Sequence, residues 1–186
     1  MKRILAPVLA LVAVAFLAPG AHAAGPWRAT IVDAETGQPL EGVVVVAAFT
    51  KFTKSLAGTA GGEYYGSDEV VTGADGRFEI PARNLWNPIR LFTEVRLELV
   101  VFKRGYGNHR LRVGTREEET WKQLSLTQAL EQEDVIVELA PVRTPEERRA
   151  YLRQFSWPPW IPRDRMSELI LTINQERASF GLEKIK

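Results

Sequence analysis

Ile31-Val32-Asp33-Ala34-Glu35-Thr36-Gly37-Gln38-Pro39-Leu40-Glu41-Gly42-Val43 decides how this chain folds. A β-branched strand end runs into a polar turn, and a second strand begins at its far side. Gly37 can take the positive φ that a tight turn needs, and Pro39 keeps the chain from pairing too early. Upstream, Arg28 to Val32 reads as the first strand. Downstream, Val43 to Phe49 is β-branched and continuously apolar, the pattern of a strand buried on both faces.

The same alternation of strand and turn chemistry continues to Pro141. Glu69 to Thr72 leads into Ala74-Asp75-Gly76, a hairpin signal, and Arg77-Phe78-Glu79-Ile80 alternates before Pro81 stops it. Val95 to Phe102 alternates and then runs apolar. Gly105-Tyr106-Gly107 turns the chain into Arg110 to Val113, and Asp134 to Leu139 is the last strand. No helical crossovers separate these segments, which excludes a parallel α/β fold. The expectation is a mainly β protein with a seven-stranded Greek-key sandwich.

Four motifs in order carry a family resemblance: residues 31–43, Thr72-Gly73-Ala74-Asp75-Gly76-Arg77-Phe78, Lys103-Arg104-Gly105-Tyr106 and Val137-Glu138-Leu139-Ala140-Pro141. Together they resemble the carboxypeptidase regulatory-like family over roughly Trp27 to Val142. The resemblance implies a transthyretin-like sandwich and an accessory role, and it says little about chemistry.

Two stretches exceed the minimal pattern. Lys51 to Ser67 is Gly-rich and aromatic, and reads as a long loop. Thr115 to Gln132 begins with capping-box spacing, which predicts a short helix near Trp121, Leu124 and Leu126.

The ends differ in kind from the middle. Lys2 and Arg3 precede an apolar run from Ile4 to Ala18, and Ala21-His22-Ala23 offers small residues for a signal peptidase. Residues 1–23 are therefore expected to be a cleaved leader and the protein to be exported to the periplasm or beyond. The run is short of the ~20 residues that span a bilayer, so no transmembrane span is expected after cleavage. Residues 24–142 form the sandwich and 143–186 a helical C-terminal extension. In that extension Thr144-Pro145-Glu146-Glu147 opens a helix to about Gln154. Phe155 to Pro162, with its Trp157-Pro158-Pro159-Trp160 core, is extended. A second helix runs to Phe180 with Gly181 as its stop. Its stripe of Met166, Leu169, Ile170 and Ile173 needs a surface to cover. Either the sandwich supplies that surface, or Trp157, Trp160 and the stripe dock an envelope protein or a second copy.

Composition removes much chemistry. The chain has 24 Lys+Arg, 23 Asp+Glu and no cysteine, and loss of Lys2 and Arg3 leaves 22 against 23. Such a balance argues against a nucleic-acid partner. His22 would leave with the leader, so His109 is the one remaining histidine. It cannot supply the two-histidine iron site of intradiol dioxygenases, and the signatures of hydroxyisourate hydrolases and zinc peptidases are missing. An isopeptide crosslink is not expected, because residues 28–32 hold no lysine and residues 135–139 no asparagine. Asp33, Glu35, Asp68, Glu69 and Asp75 lie in or beside loops without calcium-loop spacing, and Asp33 and Asp75 read as turn formers. No enzyme and no cofactor are expected. The function expected is a non-catalytic module that binds a protein. The alternative is a carbohydrate- or peptide-binding module, with Tyr64, Tyr65 and Trp86 as an aromatic platform.

Overall fold

Strand formation follows the β-branched runs. In the computed structural model, which describes residues 23–55, 58–84, 93–114 and 126–185, the chain is mainly β, with 46% of those residues in strands and 22% in helices. The strands are β1 (Ala23–Ala24), β2 (Trp27–Asp33), β3 (Val44–Ser55), β4 (Gly58–Val71), β5 (Arg77–Ile80), β6 (Arg83–Asn84), β7 (Thr93–Phe102), β8 (Tyr106–Val113) and β9 (Val135–Pro141). Seven of them form two sheets, ordered β5-β2-β9-β8 and β4-β3-β7, while β1 and β6 pair separately. β2 runs antiparallel to β5 and parallel to β9.

Alternation along β3 explains its unbroken apolar sequence. Val45, Ala47 and Phe49 face the other sheet and join Ile31, Phe78, Leu97, Val137 and Leu139 in the central core. Trp27 closes one end of that core, its ring 5.1 Å from that of Phe49. Val44, Val46 and Ala48 point the opposite way, beneath the C-terminal extension. Both faces of β3 are therefore buried, each by a different layer.

That extension consists of α2 (Pro145–Gln154), a short 3-10 turn (Arg163–Arg165) and α3 (Ser167–Ser179); α1 (Leu126–Leu130) precedes β9. Thr144 caps α2 as its sequence predicts, its hydroxyl accepting from Glu147 N at 3.2 Å. Gly181 ends the last helix with φ of +65°. Leu152, Met166, Leu169 and Ile173 are fully buried against β3 and β7. Each such side chain contributes roughly 1.5–3 kcal/mol before entropic costs.

Two expectations need correction. Lys51 to Ser67 is not a loop: β3 and β4 continue through it as a ribbon paired out to Ser55 and Gly58, with register shifts at Phe49/Thr50 and Lys51/Thr53. Pairing of Lys51 to Thr53 with Val95 to Thr93 of β7, and a Lys54–Glu94 ion pair at 2.8 Å, outweigh the weak strand preference of its glycines. Second, Ala74-Asp75-Gly76 does not close a hairpin, because β4 and β5 belong to different sheets. The turn is a corner, held where Ile31 N donates to Gly76 O at 2.8 Å. Gly76 is at φ of +70°, and a Cβ there would sit 2.5 Å from Ile31 O, so only glycine fits. Between β8 and β9 a short helix is present at Leu126–Leu130; residues 115–125 lie outside the described residues, as does the expected leader through residue 22.

Candidate functional site

Of the aromatic platform expected from Tyr64, Tyr65 and Trp86, only the two tyrosines fall within the described residues. Tyr64 is half-buried in the cluster beneath the extension, and its hydroxyl lies 3.0 Å from Ser67 Oγ. Tyr65 is the unpaired residue of the bulge opposite Phe49 and Thr50, and is exposed. Trp86 lies outside the described residues. A ring committed to packing has no free face for a sugar.

The stripe is also committed. Met166, Leu169 and Ile173 have no exposed surface, and Ile170, Trp157 and Trp160 pack against the same cluster. Met166, Leu169 and Ile173 thus cover the chain's own sheet, while Trp157, Trp160 and Ile170 are half-buried beside them. Polar contacts fix the cover in place. Trp160 Nε1 donates to Thr50 Oγ1 at 3.0 Å. Glu69 of β4 accepts from Glu168 N at 3.0 Å and Leu169 N at 2.7 Å, placing a carboxylate at the positive end of α3. Arg148 of α2 pairs with Glu176 of α3 and donates to the carbonyls of Lys103 and Tyr106, while Glu176 accepts from Gly105 N at 3.0 Å.

The loop carboxylates are each occupied. Asp33 Oδ1 accepts from Glu35 N and Thr36 N at 2.8 and 2.9 Å, and its Oδ2 from the Tyr106 hydroxyl at 2.9 Å. The backbone bond from Thr36, foremost, holds its pKa below the usual carboxylate value. Glu35 pairs with Arg143, Asp68 with Arg83 at 2.6 Å, and Asp75 accepts from Arg77 N at 3.1 Å. Among the described residues no cluster of three or more His, Cys, Asp or Glu is placed to hold a metal ion. No helix among them is long and apolar enough to cross a membrane.

What remains open is a groove of about 400 Å³ beside β7. β7 and β8 are consecutive in sequence but belong to different sheets, and each is the outermost strand of its own among the described residues. The turn at Lys103 to Gly105 therefore brings two strand edges side by side with neither pairing the other. Leu99, Val100 and Val101 form the floor. Tyr151, Phe155 and Pro158 form an apolar wall, and Gln154 and Ser156 add neutral polar groups. Phe155 is anchored by Phe102 at 5.1 Å, near edge-on, and by Tyr151 at 5.7 Å. Asn108 and His109 line the opposite side, where a register irregularity interrupts β8 between Tyr106 and His109. Bulges of this kind re-aim side chains next to binding sites. Asn108 and His109 are both exposed at the rim, and partial desolvation there lowers the His109 pKa, favouring the neutral imidazole.

Sequence reasoning gave His109 no role and passed over Asn108, Gln154 and Phe155. The available signal was the tight turn at Gly105-Tyr106-Gly107 between two strands.

No family model, no curated protein and no solved structure matches this chain.

Proposed function

We propose that the chain is a non-catalytic accessory module of the bacterial envelope that binds a protein partner along the free edge of β7. The sandwich is read as carboxypeptidase regulatory-like, a transthyretin-like Greek-key of seven strands, on the strength of the four sequence motifs and the two sheets. The leader-like residues 1–23 make it an exported protein.

One observation carries the binding role: the open groove in which the edge of β7, unpaired among the described residues, lies between an aromatic wall and the Asn108–His109 side of β8. An edge strand directs alternate backbone N–H and C=O groups outward, where an added strand can pair with them. Ser156 and His109 both line the groove, but among the described residues no hydrogen bond joins them into a nucleophile–base pair. A recognition role suits the groove better than a reaction.

The test is site-specific photocrosslinking in the native envelope, with a photoreactive residue at Asn108 and a control at exposed Leu171. A protein captured from position 108 and not from 171 supports the reading. Equal capture from both, or none from 108, removes it.

A further inference from the structure

We infer that the groove takes an uncharged, extended peptide segment, recognised by its backbone amides and by apolar side chains at alternate positions. This deepens the reading of the β7 edge as a protein-binding surface and rests on it.

Charge complementarity selects the occupant. The described lining holds no side chain that is fully charged at neutral pH. The nearest buried cation, Arg148, is already satisfied by Glu176 and by the carbonyls of Lys103 and Tyr106. Glu98 of β7, on the neighbouring face, accepts from Thr50 at 3.4 Å. An acidic or basic residue entering the groove would lose part of its water and gain no counter-charge from the lining. Amide side chains are the polar groups that the groove does offer. Asn108 and Gln154 each carry a donor and an acceptor, the same pair that a peptide unit presents. They share the groove with Leu99 to Val101, at the outer edge of the described sheet. Period-2 alternation in the ligand would send one set of side chains toward Phe155, Tyr151 and Pro158 and the other toward solvent.

The experiment uses the mature full-length chain, isotopically labelled, with three capped five-residue peptides as probes. One alternates valine and threonine; the others carry glutamate or lysine at the central position. Amide shifts of Leu99 to Val101 and of Asn108 and His109 report binding. The neutral peptide is expected to shift these amides and to bind about tenfold or more tighter than either charged one. Asn108→Asp, at an exposed position that leaves the core intact, should weaken the neutral peptide and improve the lysine one. Charged peptides binding at these amides as tightly as the neutral one would overturn this inference and leave the protein-binding reading standing. No shift with any of the three would overturn both.

Discussion

Arg148 and Glu176 face each other in the interior, the guanidinium Nε donating to Glu176 Oε1 at 2.7 Å with only 3% and 6% of the side chains exposed. The pair joins α2 to α3 and, through Gly105 N and the carbonyls of Lys103 and Tyr106, ties both helices to the β7–β8 turn. Phe102 and Tyr151 place their rings 5.4 and 4.8 Å from the guanidinium, completing its surroundings. This contact fixes the helical wall of the groove relative to its floor.

Glu176→Gln keeps the shape and leaves a buried cation without its counter-charge. Urea denaturation should show a loss of about 3–5 kcal/mol. Replacing both residues, Arg148→Met with Glu176→Leu, should recover at least half of that loss. A single substitution costing below about 1 kcal/mol would show the pair to be solvated and the wall loosely held.

Removing residues 143–186 should uncover Val44, Val46, Ala48, Val100 and Phe102 together. Contiguous apolar surface of that kind drives association. The truncated chain is expected to bind a hydrophobic dye and to elute as oligomers, whereas the chain that keeps residues 143–186 is expected to do neither. Monomeric, dye-silent behaviour of the truncated chain would mean that the sheet does not depend on its cover.

Glu69 supplies the anion at the start of α3, where Met166 offers no side-chain cap. Glu69→Ala should cost about 1 kcal/mol, and Thr144→Ala, at the start of α2, a similar amount. The two helix starts share no contact, so the double variant should show the sum in thermal melts. A marked excess over the sum would reveal that the helices dock as one unit.

Acid should act first through carboxylates whose charged form the fold favours. Asp33 is depressed, first by its bond from Thr36, and Glu94 is pulled down to about 2 by Arg96 and then Lys54. A depressed folded pKa contributes stability that is complete above the unfolded value of about 4 and is lost as pH falls through the folded value. Glu94 is a third exposed and screened by solvent, so Asp33, at the buried turn, should dominate. Stability measured between pH 6 and 2 should fall less steeply for Asp33→Asn than for the parent chain. Parallel curves would show that Asp33 does not drive acid unfolding.

Local chemistry made much of the fold legible. Gly37, Thr144-Pro145 and Gly181 announce a turn, a helix start and a helix stop through φ requirements and capping alone. Long-range choices were not legible. Whether Asp75-Gly76 closes a hairpin or turns a corner depends on the contact between Gly76 and Ile31, far apart in sequence. Glycines between Gly58 and Gly66 argue for a loop until β3 supplies a partner. The stripe of Met166, Leu169 and Ile173 shows that a surface is covered, and not which one. The groove was the least visible feature, because Leu99, His109 and Phe155 come together only through the placement of β7 and β8 in separate sheets.

His109 offers the last test, and it reads the groove directly. His109 is exposed at the rim of the groove, yet partial desolvation by the neighbouring protein atoms lowers the imidazole pKa from its usual value near 6.5, so the neutral ring is favoured. Below that value the unfolded chain takes up a proton that the folded chain resists. Its contribution to stability is therefore complete above about pH 6.5 and is lost as pH falls toward the folded pKa. If the groove holds an uncharged strand, an occupied groove desolvates the ring further and moves the titration lower still. NMR titration of the imidazole Cε1 proton should give a midpoint under 6.5 in the free protein and a lower one with the neutral peptide bound. By linkage, the peptide should then bind more weakly at pH 5 than at pH 7, and His109→Gln should abolish that difference. A midpoint at or above 6.5 would place the ring in open solvent and remove His109 from the groove.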